Sequence, residues 1–211
     1  DRNAPGVSEV GKLMAPRVVG LAVAQIDGIV DLMLASILGS KMVTVFYLAQ
    51  SLQQLPVRLF GITVAQAALP TLSATWSKEE SEKFHTSLTH AIYMVLFFVL
   101  PVSALFIVLR IPIVRLIYGA GRFDWEATVL TGATLSAFGL SLFAQAISHI
   151  LIRAFYAIYD SKTPMIINGA TVSLNVLLSL FFVSFLHWPI WSLGLSASLA
   201  SIMNAGVLFI F

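Results

Sequence analysis

The chain has 211 residues, of which 58% are hydrophobic and 10% are charged, and its mean hydropathy is +0.92. Ordinary soluble domains carry about 25% charged residues, so this composition indicates an integral membrane protein and leaves no room for a separate soluble enzyme domain. Twelve Lys and Arg against ten Asp and Glu give a net charge of +2. This small excess is spread over the connections, which excludes a basic stripe for nucleic acid.

Six apolar segments predict an all-α bundle of six membrane-spanning helices that forms a single domain over residues 1–211. Each segment is long enough to cross a hydrocarbon core, which needs about 20 residues. The segments cover residues 13–38, 42–76, 86–109, 127–157, 165–186 and 191–211. Because the first residue is not Met and the last segment is still apolar at Phe211, we expect a fragment of a longer protein whose last span is truncated.

Prolines are expected to interrupt two of the segments. Pro56 and Pro70 predict that the second segment kinks or breaks near residues 55–56 and ends near Pro70. Pro101 predicts a broken helix in the third segment. Residues 110–126 are expected to form the longest polar connection.

Lys and Arg in the connections predict the orientation of the bundle. The side that holds the N-terminus and the second and fourth connections carries the larger number of them, so it is predicted to be cytoplasmic. That side carries Arg2, Lys12, Arg17, Lys78, Lys83, Arg153 and Lys162, and the other side carries Lys41, Arg110, Arg115 and Arg122.

Asp27 and Asp31 lie inside the first apolar segment. An ionised carboxylate in a membrane span costs about 2.5–3.5 kcal/mol on an insertion scale, so both should face the bundle interior. Being four residues apart, they share a helix face, where two negative charges repel unless a cation lies between them or one is protonated. The pair therefore favours ion or proton coupling; the alternative is a wet Asp31 and a neutral, hydrogen-bonded Asp27. Arg17 lies on the same face, which suits a cavity wall or close helix packing.

Two further polar clusters occupy the fifth and sixth segments. Their oxygen-bearing side chains can complete a hard-cation site with Asp31, and plain interhelical hydrogen bonding is the alternative. The clusters consist of Asn168, Thr171 and Asn175, and of Ser196, Ser198, Ser201 and Asn204.

No residue pattern supports an enzyme. The glycines of residues 119–121 lack the rest of a dinucleotide fingerprint, and residues 139–143 lack the second glycine of a nucleophile elbow. The chain has no cysteine, which excludes a disulfide framework and a thiol nucleophile. No cofactor is expected.

Three stretches carry a family resemblance. They are residues 50–56 (QSLQQLP) with 68–73 (ALPTLS), residues 118–124 (YGAGRFD) and residues 153–164 (RAFYAIYDSKTP). In their order and spacing they resemble the MurJ/MviN family, the lipid II flippases of the multidrug/oligosaccharidyl-lipid/polysaccharide exporter superfamily. The resemblance implies one lobe of a two-lobe exporter fold, corresponding to helices seven to twelve, with an N-terminal lobe outside this sequence.

The resemblance also implies a sodium site within this lobe. The matching positions are Asp31, Thr171, Asn175 and Ser198, and Asp27 lies beside Asp31 on the same helix face. We therefore expect sodium or a proton as the coupling ion.

One motif departs from the family pattern. The family has Asp-Arg before its Leu-Pro motif, and that Arg is held to contact lipid-linked pyrophosphate, whereas this chain has Gln50 and Ser51. Arg58, where the family has glycine, is expected to supply the anion contact or else to extend to an interface. Arg17 on the cavity face is a second candidate for substrate binding.

Together these observations predict a flippase that moves lipid II, the undecaprenyl-pyrophosphate-linked peptidoglycan precursor, across the bacterial plasma membrane by alternating access. Its partners would be this lipid-linked oligosaccharide, membrane lipids and the N-terminal lobe. A sodium- or proton-coupled multidrug exporter or polysaccharide flippase of the same superfamily is the first alternative. A non-transporting membrane scaffold is the second, and it leaves Asp27 and Asp31 unexplained.

Overall fold

The computed structural model describes residues 18, 22, 25–119 and 123–210, and every regular element within them is helical. Two short π-helical segments, Val57–Ile62 and Phe181–Phe185, directly follow α2 and α8. In chain order the α-helices are α1 (25–37), α2 (Ser40–Pro56), α3 (Thr63–Ser77), α4 (Ser81–Val108), α5 (Arg110–Tyr118), α6 (Trp125–Gly139), α7 (Leu142–Ala157), α8 (Lys162–Leu180) and α9 (Trp191–Ile210).

Four continuous helical runs among the described residues are long and apolar enough to cross a membrane. They are Ser40–Ser77, Ser81–Val108, Lys162–Phe185 and Trp191–Ile210, and the bent pair of α6 and α7 is a fifth if it forms one span. α1 forms the C-terminal half of the first apolar segment. Arg17 and most other residues of that segment before α1 lie outside the described residues. Large apolar side chains such as those of Phe97 and Leu116 are exposed on the outside of the bundle, as expected where lipid replaces water.

Pro56 widens its helix instead of breaking it. The chain continues from α2 into the π-helical segment Val57–Ile62 and then into α3. Proline removes one backbone donor, and in this wide turn the hydroxyl of Thr63 donates to the carbonyl of Arg58 at 3.0 Å. The second segment is therefore one continuous helical run with a local change of pitch.

Pro70 and Pro101 do not stop their helices. α3 passes through Pro70 and ends at Ser77, and α4 passes through Pro101 without interruption. The predictions of an end at Pro70 and a break at Pro101 are therefore wrong. Membrane helices tolerate proline because the single freed carbonyl can be satisfied by small local adjustments or by neighbouring groups.

A bend of 46° separates α6 from α7, at a point where the sequence has no proline. Here the amide of Leu140 donates to the carbonyl of Ala137 at 3.3 Å, and the amide of Ser141 donates to that of Phe138 at 3.1 Å. These are bonds to the third preceding residue, which tighten the end of α6. The segment predicted as residues 127–157 is thus a pair of helices in the structure.

The expected polar connection before α6 contains the short helix α5 and ends in an ion-pair cluster. Lys41 Nζ lies 2.7 Å from Asp124 Oδ2 and 2.6 Å from Glu126 Oε2. Asp124 accepts hydrogen bonds from the Lys41 ammonium and from the Ala127 amide. Both lower the pKa of its carboxyl below the usual range. The start of α2 and the start of α6 therefore lie at the same end of the bundle.

α9 lies against α6, α7 and α8 and is central to the packing. Gly194 allows its close approach to α6, because a Cβ atom at this position would lie 3.0 Å from the carbonyl oxygen of Thr134 and 3.2 Å from the Cβ of Ala137. Small residues commonly permit such contacts between membrane helices, where packing replaces the hydrophobic effect as the driving force.

We expect Gly194→Val to lower the thermal unfolding midpoint of the complete protein in detergent. The valine must displace α9 from α6, and overpacking of this kind costs about 1–3 kcal/mol. Gly206→Val is the matched control, since Gly206 is on the same helix and a Cβ there meets no atom within 4 Å. Equal midpoints for the two variants would contradict close packing at Gly194.

Candidate functional site

The carboxylates of Asp27 and Asp31 are joined by one amide from α8. Asn175 Nδ2 donates to Asp27 Oδ1 at 2.9 Å and to Asp31 Oδ2 at 3.4 Å. Asp31 is buried and Asp27 is half-buried. The structure therefore brings together three of the five residues that the sequence assigned to a cation site.

The oxygen of the same amide has no partner. Asn175 Oδ1 is buried and accepts no hydrogen bond within the part of the chain that the structure describes. An unpaired buried acceptor costs about 1–3 kcal/mol. Next to two carboxylates, such an oxygen is chemically suited to a cation or to the donor of a bound water.

Two serines, one on α8 and one on α9, continue the polar contacts of Asp31. Ser179 Oγ lies 3.5 Å from Asp31 Oδ1 and 2.6 Å from Ser196 Oγ on α9. Both serines are buried. Ser179 was not among the sequence candidates, although it continues the helical spacing of Asn168, Thr171 and Asn175 by one further turn.

Asp27 and Asp31 border a polar cavity of about 320 Å³ between α1, α2, α7, α8 and α9. Its wall combines the two carboxylates with neutral amides, hydroxyls and one imidazole. Side chains lining it include Asp27, Asp31, Gln50, Gln53, Gln54, Gln145, Ser148, His149, Asn168, Thr171, Ser201 and Asn204. The described residues contain no group of three or more His, Cys, Asp or Glu that could hold a metal ion.

Thr171 and Ser198 occupy different positions relative to the carboxylates. Thr171 lines the cavity, but its hydroxyl donates to the carbonyl of Ile167 one turn before it, at 2.9 Å. Ser198 donates to the carbonyl of Ala137 in α6 at 2.6 Å and makes no contact with the aspartates. The role that the sequence assigned to Ser198 as a cation ligand is not supported by any contact in this structure.

Arg58 lies at the edge of this polar region. It is exposed, and its Nη2 donates to Gln54 Oε1 at 2.8 Å. Gln54 in turn lines the cavity. The guanidinium of Arg58, in the π-helical segment after α2, is therefore bonded to a side chain of the cavity wall. Arg17, the other substrate candidate, lies outside the described residues.

Glutamines connect α2 to α7 across the cavity. Gln53 Nε2 donates to Gln145 Oε1, and Gln145 Nε2 donates to Ser141 Oγ at 3.0 Å. Sequence reasoning treated Gln53 only as part of a motif. The feature that could have identified Gln53 is its long polar side chain within an apolar segment, three residues before Pro56.

Comparison with known proteins identifies relatives over nearly the whole chain. The family model described as lipid II flippase MurJ matches residues 1–211. A probable lipid II flippase MurJ from Bdellovibrio bacteriovorus is 30% identical over 204 residues, which are 97% of this chain and 39% of that relative. The chain thus spans about two fifths of the length of such relatives.

Solved structures give the same fold. A lipid II flippase MurJ in an inward closed conformation matches with a TM-score of 0.84 at 27% identity, over 97% of this chain and 43% of that one. A multidrug resistance MATE family transporter in an outward-facing conformation matches with a TM-score of 0.79 at 13% identity, over 93% and 42%. The second likeness shows the fold alone. The predicted fold class, one lobe of an exporter fold, is confirmed.

Proposed function

This chain belongs to the MurJ family of lipid II flippases, and from that membership we propose that the complete protein moves lipid II across the bacterial plasma membrane. The observation in this lobe that supports the proposal best is the polar cavity with its two carboxylates inside an apolar bundle. A packing role alone would be served by apolar side chains, because buried carboxylates in a membrane are costly.

The mechanism we propose is alternating access between this lobe and an N-terminal lobe. A pyrophosphate headgroup cannot enter hydrocarbon without a large desolvation cost. A polar cavity between two lobes avoids that cost if it opens to one side at a time, while the lipid tail stays in the bilayer. Transport of this kind needs no covalent step and no cofactor.

Cation coupling is the role we propose for Asp27 and Asp31. The carboxylates repel each other, and the Asn175 amide offers each of them one hydrogen bond from the same nitrogen. Either ion supplies one positive charge and leaves one net negative charge on the pair. A sodium ion can contact oxygens of both carboxylates together with the unpaired Asn175 oxygen, whereas a proton binds to a single carboxylate oxygen. The oxygen set therefore favours sodium over a proton, with Thr171 as a further oxygen in the same cavity.

Arg58 is the cation that we propose for substrate binding in this lobe. Charge-assisted bonds from guanidinium to phosphate are among the stronger hydrogen bonds in proteins. Arg58 is exposed, and its partner among the described residues is the neutral amide of Gln54 at 2.8 Å, so its remaining donors are available to an anion. Arg17 is proposed as a second contact, from the same face of the first segment as Asp27 and Asp31. We further propose that the N-terminus of this chain faces the cytoplasm, as the Lys and Arg distribution predicts.

We expect Asp31→Asn in the complete protein to abolish stabilisation by sodium. A ligand that binds only the folded state stabilises it by about 2.7 kcal/mol at one hundred times its Kd, so the wild-type thermal midpoint should rise with sodium at constant ionic strength. Glu126→Gln is the control, because this acid is exposed and away from the cavity. An Asp31→Asn protein with the wild-type sodium response would remove Asp31 from the coupling site.

Arg58→Gln is expected to weaken lipid II binding. Loss of a hydrogen bond from a charged donor costs about 1.5–3 kcal/mol, or roughly ten- to 150-fold in Kd. Binding is measured with purified complete protein and lipid II in nanodiscs. Arg110→Gln is the control, because Arg110 is exposed and lies just after the C-terminal end of α4. This variant should bind lipid II with wild-type affinity. Wild-type affinity in Arg58→Gln would rule out the proposed contact.

The flippase function itself is tested by complementation of bacteria depleted of their own lipid II flippase. We expect the complete protein to restore growth and cell shape, and we expect the 211-residue chain alone to fail because alternating access requires two lobes. A well-expressed complete protein that does not rescue growth but drives cation-dependent drug efflux would support the exporter alternative. Rescue by this chain alone would refute the requirement for a second lobe.

A further inference from the structure

At the bend between α6 and α7, side chains from two other helices donate to backbone carbonyls, one of which, that of Ala137, also accepts from the Leu140 amide at 3.3 Å. Ser198 on α9 donates to the Ala137 carbonyl at 2.6 Å, and Ser103 on α4 donates to the Gly139 carbonyl. Backbone groups free of helical bonding are tolerated at membrane depth only where protein or cavity water pairs them. The geometry of the bend therefore depends on the positions of α9 and α4.

The same helix α9 is also connected to the carboxylate pair. Ser196 Oγ lies 2.6 Å from Ser179 Oγ, which lies 3.5 Å from Asp31 Oδ1. Ser196 and Ser198 are two residues apart, so about 200° of helix rotation separates them. One hydroxyl faces α8 and the carboxylates, and the other faces α6 and the bend.

The hydroxyl hydrogens on the carboxylate side have two arrangements. Each serine has one hydrogen to donate. Ser179 can donate to Asp31 or to Ser196, and Ser196 can donate to Ser179 or to the Leu193 carbonyl at 2.9 Å. When Asp31 takes the hydrogen of Ser179, Ser196 donates to Ser179. When a cation occupies Asp31, Ser179 is free to donate to Ser196, which then donates to Leu193.

We propose that Ser196 and Ser198 are positioning residues that transmit occupancy of the Asp27–Asp31 pair, through α9, to the bend between α6 and α7. The proposal rests on the proposed cation coupling and adds the element of this lobe that responds to it. The two hydrogen-bond arrangements contain the same number of bonds, so a bound ion can select between them. At Gly194, α9 lies in close contact with α6, and packed interfaces of this kind change between discrete arrangements rather than continuously.

The test measures sodium binding and the bend angle separately in the complete protein. Binding is followed with radioactive sodium. The bend is followed by electron–electron resonance between spin labels at Val129 on α6 and Tyr159 just after α7, both exposed, in a cysteine-free background. We expect sodium to shift the distance distribution in the wild type. We expect Ser196→Ala and Ser198→Ala still to bind sodium but to lose that shift.

Two matched variants separate transmission from simple packing. Ser192→Ala removes a buried hydroxyl from α9 that has no partner among the described residues, so its response should be that of the wild type. Ser103→Ala removes the other donor at the bend, so it should change the resting distance while the sodium-induced shift persists.

Two results would overturn the proposal and leave the coupling site intact. One is a wild-type shift retained in both Ser196→Ala and Ser198→Ala, and the other is sodium binding to the wild type with no change of distance. Absence of Asp31-dependent sodium binding would instead refute the proposed coupling, and with it the transmission. If either alanine variant failed to fold, Ser196→Cys or Ser198→Gly would provide the same comparison, with the labels at Val129 and Tyr159 attached through unnatural amino acids.

Discussion

Two carboxylates four residues apart inside an apolar bundle impose the condition that the rest of this lobe meets. Neither charge can be left unpaired at membrane depth. The structure meets this need with one amide from α8, Asn175, and with the Ser179 hydroxyl. These donors must come from α8, so α1 and α8 are held together by polar contacts, and the space beside them is lined by polar groups rather than filled by leucine.

A second condition follows for the backbone. Every amide and carbonyl in a membrane segment must be paired within the protein, and side-chain hydroxyls take part in this pairing at two of the places where the described helices are irregular. After Pro56 the helix widens, and Thr63 bonds to the Arg58 carbonyl. Between α6 and α7 the chain bends by 46°, and serines from α4 and α9 bond to the carbonyls. In both places a hydroxyl donates to a backbone carbonyl at the irregular turn, which is a common use of serine and threonine in apolar helices.

The sequence was sufficient for some parts of this picture and insufficient for others. Apolar segments about 20 residues long predict membrane spans because the bilayer thickness sets their length. Asp27 and Asp31 are recognisable because the free-energy cost of a carboxylate in a span can be judged from the residue and its apolar neighbours in sequence. The bend at Gly139–Ser141 could not be predicted, since no proline marks it and its stabilising donors, Ser103 and Ser198, are distant in sequence. Pro101 gave the opposite error, because one missing donor does not break a helix that its neighbours support. Ser179 was missed for a similar reason: a serine becomes part of a site only through what lies opposite it.

The fold and the function of this lobe are determined by different residues. At 13% identity a multidrug transporter retains the same arrangement of helices, so apolar packing and close contacts such as Gly194 suffice for the architecture. The transport chemistry that we propose depends instead on a few polar side chains in and beside the cavity. Asp31 is buried and Asp27 is half-buried in the cavity wall, and the exposed Arg58 bonds to Gln54 of the same wall. The negative pair suits a small cation enclosed within the lobe, whereas the guanidinium suits an anion outside it, so one lobe can bind both without bringing their charges into the same space.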